Sequence, residues 1–309
     1  MTQIHQTTLS AIERDRRVDP RLGLRVLGGF VIVFLAVWVT TLILGVGPNM
    51  LMRRLGVTED LRILIGSTLS RSGVLAASLF FSALALHRVT GLHAREVLFP
   101  LHPGWQRDLL FGVVLAAGAM GLLFAIERVA GWLTVAGWRW QGRSFTAWLQ
   151  TVWLALLANL LAAAGEEALF RGYLLTGLSR AWGKGIGLAM MAGLFAISHI
   201  AVTGATETHW VLFTLLLALP GLMLGWVYLR TRNLWLPVGI HFAWNLFQAD
   251  VLNLTGECAG TTLFGLITRQ QGPAWFVGTS YGIEVGLSGI LALVVVVAGV
   301  WWWTSRPRH

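Results

Sequence analysis

Two adjacent glutamates, Glu166 and Glu167, follow the uncharged run TAWLQTVWLALLANLLAAAG, and Arg171 lies one helical turn further along the chain. An ionisable side chain near the middle of a membrane helix costs on the order of 2.5–3.5 kcal/mol on insertion scales, so it needs a partner, water or a function. Glu167 and Arg171 have the spacing of a helical ion pair. Adjacent helical residues point about 100° apart, so this pair leaves Glu166 unexplained.

Two later apolar segments carry further polar side chains. GLAMMAGLFAISHI contains His199, and WLPVGIHFAWNLF contains His241 and Asn245, one turn apart on the same helical face. A glutamate and a histidine in a partly dry pocket can together activate a water molecule. His241 and Asn245 would then donate hydrogen bonds to the oxyanion that forms when water attacks an amide. The predicted chemistry is therefore hydrolysis of an acyl bond.

A metal-dependent form of the same reaction is an open alternative. Glutamate and histidine side chains bind zinc, and the ligands would then be Glu166, His199 and His241. The HExxH signature of zinc peptidases is absent. A serine or cysteine nucleophile is not expected, and the single cysteine, Cys258, lies in a predicted external loop. We favour a metal-free glutamate mechanism with no cofactor, and we keep zinc as the alternative.

These side chains require elements that hold them within a bilayer. The chain is 56% hydrophobic and 12% charged, which is too apolar for a soluble domain of 309 residues. The sequence predicts an all-α polytopic membrane protein of about eight transmembrane helices, with the active site inside the helical bundle. The predicted spans are 26–46, 67–87, 108–126, 146–166, 186–201, 210–229, 234–252 and 283–303.

The basic residues indicate orientation rather than a nucleic-acid partner. The formal net charge is +9, but lysines and arginines are scattered between the apolar runs and form no stripe. Short cytoplasmic loops are enriched in lysine and arginine, and their distribution here predicts that both termini are cytoplasmic. A single cysteine excludes an intrachain disulfide, a thiolate zinc cluster and an iron–sulfur site.

The spacing of the polar residues along the spans predicts that they meet. If the helix that carries Glu166 turns near Gly183, then Glu166 and His199 lie at equal depth, roughly 25 Å from the turn at 1.5 Å per residue. A second hairpin that turns near Asn233 brings His241 toward the same level. We expect one cavity within the membrane, toward its cytoplasmic half.

Three short sequences carry a family resemblance. EEALFR, FAISH and HFAWN resemble the motifs EExxxR, FxxxH and HxxxN of the CPBP intramembrane protease family, which includes type II CAAX prenyl endopeptidases and bacteriocin-processing or self-immunity proteins. The resemblance covers roughly residues 146–253 and implies an intramembrane endopeptidase. It implies that Glu166 activates water together with His199, and that His241 and Asn245 form the oxyanion pocket.

The resemblance also implies supporting positions and a domain layout. Glu167 and Arg171 complete the first motif, and Phe195 begins the second. The expected layout is a basic cytoplasmic tail over 1–25, a transmembrane domain over 26–303 with a protease core at about 146–253, and a short cytoplasmic tail over 304–309. The expected location is the bacterial plasma membrane.

Several functions remain open from the sequence. The substrate is expected to be a membrane-associated protein or peptide: a prenylated protein, a pheromone or bacteriocin leader, or a C-terminal sorting signal. A proton-coupled carrier and a non-catalytic scaffold or bacteriocin-immunity protein are the alternatives from other classes. Gly221 and Gly225 have GxxxG spacing, which predicts helix packing within the bundle.

Overall fold

The computed structural model describes residues 19–57, 59–203, 210–254, 265–278 and 282–306. Within these residues the chain is a bundle of α-helices with one two-stranded antiparallel sheet. The elements in chain order are α1 (Pro20–Arg54), α2 (Glu59–Ala85), α3 (Ala94–Val97), α4 (Trp105–Val129), β1 (Leu133–Trp138), α5 (Phe145–Glu167), α6 (Thr176–Trp182), α7 (Lys184–Thr203), α8 (Trp210–Thr231), α9 (Trp235–Asn245), β2 (Leu266–Gln270), α10 (Ala274–Val277) and α11 (Leu287–Thr304).

The first helix begins earlier than the sequence predicted. Asp19 caps α1 by accepting hydrogen bonds from the backbone N–H groups of Arg21 and Leu22, at 3.0 and 3.1 Å. Pro20 occupies the first turn, where its missing N–H costs nothing. The helix therefore starts inside the predicted basic tail, six residues before the predicted span.

Within the described residues, three π-helical segments continue the α-helices, and two of them directly follow predicted site residues. One extends α2 over Leu86–Thr90, one joins α5 to α6 over Ala168–Leu175, and one extends α9 over Leu246–Val251. The helix that carries Glu166 therefore continues without a break to Trp182, and Gly183 then turns the chain with φ 89°. The predicted hairpin at Gly183 is confirmed.

Six of the predicted spans are long and apolar enough to cross a membrane. They are Pro20–Leu44, Thr68–Thr90, Trp105–Val129, Phe145–Trp182, Val211–Thr231 and Leu287–Thr304. Predicted spans 186–201 and 234–252 are also helical, but both are shorter than the six. The apolar part of α7 covers Lys184–His199, and α9 has 11 residues before its π-helical extension. These two shorter helices carry the two histidines of the predicted site.

Glycines allow the central helices to approach closely. A Cβ atom on Gly112 of α4 would lie 2.7 Å from the carbonyl oxygen of Leu236 in α9, and a Cβ atom on Gly239 would collide with the carbonyl oxygen of Leu109. Gly221 and Gly225 of α8 face α7 in the same way, so the GxxxG pair packs helices inside the bundle as predicted.

Both ends of the described chain lie at one face of the bundle. The backbone N–H of Asp19 donates to the carbonyl of Ala181 at 2.9 Å, and Arg180 donates to the carbonyl of Thr90 at 2.9 Å. Arg230, at the end of α8, donates to Ser305 at 3.2 Å. Asn233 and Trp303 both donate to Asp108, at 3.2 and 3.0 Å, which ties the start of α4 to the turn after α8 and to the end of α11.

The opposite face carries the small sheet. Strands β1 and β2 pair from Leu133↔Gln270 to Trp138↔Leu266, with a register shift between Val135 and Gly137. Strand β1 follows the third predicted span and β2 follows the seventh. Both loops therefore lie on the same side of the bundle, as expected when successive spans alternate in direction. Which side faces the cytoplasm stays a prediction.

Candidate active site

A buried cluster of three side chains lies at the centre of the site. Glu167 and Arg171 have side chains that are 0% exposed, and Arg171 Nη1 donates to Glu167 Oε1 at 2.9 Å. The predicted ion pair is confirmed. His241 Nδ1 also donates to Glu167 Oε1, at 2.8 Å. Glu167 therefore balances the charge of Arg171 and orients the ring of His241.

Phe195 packs against the same cluster. The Arg171 guanidinium lies 4.7 Å from the centre of the Phe195 ring, a cation–π contact. The centre of the His199 ring lies 4.2 Å from that of Phe195, and the centre of the His241 ring lies at 6.5 Å. Phe195 thus packs against the His199 ring and lies edge-on to the His241 ring.

Glu166 points toward the histidines and away from the ion pair. Its Oε2 lies 3.8 Å from His199 Nε2 and 3.8 Å from His241 Nε2. The Glu166 side chain is 36% exposed and that of His199 is 37% exposed, whereas Glu167 is fully buried. Of the two adjacent carboxylates, Glu166 is therefore the one that a reactant can reach.

Hydrogen bonds at Nδ1 set the direction of both histidine rings. His199 Nδ1 donates to the carbonyl of Phe195 at 2.8 Å, and His241 Nδ1 donates to Glu167. In each ring Nε2 is then the nitrogen that faces Glu166. A separation of 3.8 Å is too long for a direct hydrogen bond but short enough for one water to bond to both atoms.

The bond to Glu167 restricts what His241 can donate. A neutral imidazole that donates through Nδ1 has an acceptor at Nε2, so only the imidazolium form donates through Nε2. The predicted oxyanion role of His241 therefore requires a protonated ring. The Glu166 carboxylate at 3.8 Å is a suitable counter-charge for that form.

Asn245 completes the set of residues that the sequence predicted. It lines a cavity of about 240 Å³ together with His199 and His241. We name this space the inner cavity. The structure thus brings all the predicted site residues into one cluster, and their catalytic roles stay predictions.

A second cavity lies on the other side of Glu166. It has a volume of about 410 Å³, lies between α1, α2, α5 and α7, and is lined by Glu166, His199 and mainly apolar residues such as Phe34 and Leu169. We name it the outer cavity. Because His199 lines both cavities, the candidate reaction centre lies where the two spaces meet.

The structure adds Glu284, a residue that sequence reasoning missed. It precedes α11, lines the inner cavity and accepts a hydrogen bond from Trp244 Nε1 at 3.0 Å. A signal was present: Glu284 is the only acidic residue after Glu257, and it lies at the start of an apolar run.

The zinc alternative would use Glu166 Oε2 and the Nε2 atoms of both histidines. These donor types fit zinc, whose bonds to nitrogen and oxygen are about 2.0–2.2 Å. Within the residues that the structure describes, however, no group of three His, Cys, Asp or Glu side chains is arranged to hold a metal ion. Zinc binding would therefore require the three side chains to move closer together.

The sequence does contain one stretch with the spacing of a serine nucleophile motif. Residues 278–282 read GTSYG, which has the GxSxG spacing of a serine nucleophile motif. That motif works on a sharp turn from a strand to a helix. Here it follows the short helix α10 and precedes a 3₁₀ turn at Ile283–Val285, and residues 279–281 lie outside the described part of the chain. The spacing alone therefore does not indicate a nucleophile.

The comparison with protein families agrees with the three motifs. Residues 148–247 match the family described as Type II CAAX prenyl endopeptidase Rce1-like. This range runs from α5 through α9 and contains the whole buried cluster, but not Glu284. No curated protein and no solved structure gives a significant match to the chain.

Proposed function

We propose that the chain is an intramembrane protease, in agreement with the match of residues 148–247 to the Rce1-like type II CAAX prenyl endopeptidase family, and that Glu166 and His199 activate the water that hydrolyses the peptide bond. The observation that carries this proposal is the convergence of two histidine Nε2 atoms on Oε2 of the partly exposed Glu166, each at 3.8 Å. Their Nδ1 atoms are held by other groups, so both rings are oriented before a substrate arrives.

In this mechanism Glu166 is the general base. No donor among the described residues bonds to Glu166 Oε2, so it is available to accept a proton from water. His199 Nε2 accepts the second hydrogen bond of that water and fixes its position. Glu166 then carries the proton that the departing amine needs, and the same carboxyl group serves as acid in the second half of the reaction.

The developing oxyanion would lie on the side of Asn245 and His241. The Asn245 amide donates directly, and His241 donates through Nε2 when its ring is protonated. Glu167 stabilises that imidazolium through Nδ1, and the buried Arg171 keeps Glu167 ionised by balancing its charge. Glu167 and Arg171 thus support the reaction through His241, without contacting the substrate themselves.

The proposed substrate is a membrane-associated protein or peptide. The apolar outer cavity beside Glu166 is suited to an apolar segment or lipid group. A prenylated C-terminus, a pheromone or bacteriocin leader and a sorting signal all have that property. The chemistry at Glu166 is the same for each.

The direct test is Glu166→Gln, which keeps size and hydrogen bonding but removes basicity. Purified protein in nanodiscs is incubated with a library of lipidated and membrane-inserting peptides, and new termini are identified by mass spectrometry. We expect the rate of cleavage to fall by about 10²–10⁴-fold, the usual contribution of a general base. Glu96→Gln, in α3 and outside the cluster, is the matched control and should keep full activity. Full activity of Glu166→Gln would reject the proposal.

The same assay separates the alternatives. Asn245→Ala should lower kcat by about 10²–10³-fold through loss of one oxyanion donor. A zinc enzyme should lose activity to a strong chelator and regain it with zinc, whereas the metal-free site should respond to neither. Proton-coupled transport with no proteolysis by the wild-type protein would favour the carrier instead.

A further inference from the structure

The inner cavity contains hydrogen-bond acceptors that the proposed reaction does not use. Glu284 and Gln248 both line this space. Glu284 Oε1 accepts from the indole of Trp244, and no other described side chain donates to its carboxylate. Gln248 is only 6% exposed, and its Oε1 has no hydrogen-bond partner among the described residues.

Among the residues that the structure describes, no lysine or arginine side chain is paired with Glu284. The charged groups that influence it are His199, His241 and Glu166, two histidines and another carboxylate. Arg171, the nearest strong cation of the site, is bonded to Glu167 instead. A buried carboxylate without a cation is costly, and a buried acceptor without a donor also costs free energy. The cavity therefore favours a ligand group that has a positive charge and several N–H donors.

The size and walls of the cavity suit a side chain. Its volume of about 240 Å³ is smaller than the roughly 300–1,000 Å³ of pockets that hold whole drug-sized ligands. Leu217, Pro220 and Leu224 of α8 form apolar walls that can pack against a methylene chain. His199 and His241 also line this cavity, so a side chain that occupies it would belong to a residue close to the bond under attack.

We propose that the inner cavity is a specificity pocket for a lysine or arginine side chain next to the scissile bond, and that Glu284 recognises its charge. This inference rests on the proposed protease function, since a specificity pocket selects among peptide substrates. Trp244 positions the Glu284 carboxylate through the indole bond, and Gln248 Oε1 accepts a further N–H of the ligand.

Binding is tested first without proteolysis. The purified protein in nanodiscs is titrated with n-butylguanidinium and with its neutral analogue n-butylurea, and the unfolding temperature is recorded. We expect n-butylguanidinium to raise the unfolding temperature of the wild type, and n-butylurea to leave it unchanged, because a ligand of the folded state stabilises it. Glu284→Gln, which can still accept the Trp244 bond, should abolish the shift, and Glu96→Gln should retain it.

Cleavage then measures specificity. Paired peptides differ only in lysine or norleucine at a residue beside the cleaved bond. The wild type should prefer the lysine peptide by about 10- to 100-fold in kcat/KM, the range expected for a charge-assisted hydrogen bond. Glu284→Gln should lose the preference for the lysine peptide, and Glu284→Asp should restore part of it.

The outcomes distinguish failure of the pocket from failure of the protease. Equal loss of both peptide rates in Glu284→Gln, or a wild type without any lysine or arginine preference, would overturn the pocket. The pocket would also be overturned if n-butylguanidinium raised the unfolding temperature of the wild type and of Glu284→Gln equally. If the wild type cleaves no peptide but binds n-butylguanidinium through Glu284, then the proposed function fails while the cation site stands.

Discussion

Glu166 and Glu167 are adjacent and chemically identical, yet their surroundings give them different roles. Glu167 is fully buried and holds Arg171 and His241 through one oxygen. Glu166 is about one-third exposed, and no described residue donates to its Oε2. Glu167 therefore stabilises the fold and orients the His241 ring, whereas Glu166 is available for chemistry.

This difference predicts that the same substitution has a large effect on stability at Glu167 and almost none at Glu166. Glu167→Gln leaves Arg171 as a buried charge without a counter-ion, which should lower the free energy of unfolding by about 3–5 kcal/mol. Glu166→Gln removes a partly exposed charge and should leave that free energy nearly unchanged. Denaturant or thermal unfolding of both variants in micelles measures the contrast. Equal stability of the two variants would contradict the assignment of Glu167 as the structural partner.

Helices α4 and α9 are in close contact because two glycines face each other's backbones. Gly112 lies against Leu236, and Gly239 lies against the carbonyl of Leu109. His241 is two residues after Gly239, so this contact sets the depth and rotation of the His241 ring. The π-helical turns begin directly after Glu167 and Asn245, and π-bulges occur frequently at functional sites.

The glycine contact is tested by adding a single methyl group. Gly239→Ala should force α9 away from α4, because the added Cβ would overlap backbone atoms that cannot move aside. We expect a loss of about 1–3 kcal/mol in stability, the usual cost of overpacking, together with slower cleavage. Gly118→Ala is the matched control: it lies in α4, and an added Cβ there meets no atom within 4 Å. A Gly239→Ala variant as stable and active as Gly118→Ala would contradict the role of this contact.

Across the whole bundle, the long helices expose apolar surfaces and the short helix α9, which carries His241, lies at the centre. Large apolar side chains on the outer helices are exposed, among them Ile32 at 68% and Val114 at 70%, as expected for surfaces in contact with lipid. The central helix α9 is almost entirely buried. Polar groups are thus kept away from lipid, where they would be costly, and collected at the meeting point of the two cavities.

The orientation of the bundle can be tested with single cysteines. In a Cys258→Ser background, Thr206→Cys and Gly185→Cys lie in segments that the arginine distribution places outside and inside, respectively. Gly185 tolerates a side chain, since an added Cβ meets nothing within 4 Å. An impermeant thiol reagent added to intact cells should label position 206 and leave position 185 unlabelled until the cells are opened. The reverse pattern would place both termini outside.

Composition and spacing alone determined the class of the protein, the order of its motifs and the turn at Gly183. These features depend on local physics: apolar length decides which segments can cross lipid, and helical periodicity decides that Glu167, not Glu166, pairs with Arg171. The predicted meeting of Glu166 with His199 followed from their equal distances from the turn at Gly183, and the structure places Glu166 Oε2 3.8 Å from His199 Nε2.

Only the tertiary structure decided how the rings point and what else reaches the site. The bond from His241 to Glu167 joins residues 74 positions apart, and Glu284 comes from a segment beyond the motifs. The lengths of α7 and α9 and the glycine contact with α4 also depend on neighbouring helices. Sequence spacing gives the depth of a residue along one helix, but the rotation of one helix against another and the choice of rotamer arise from packing, so these features became visible only in the folded chain.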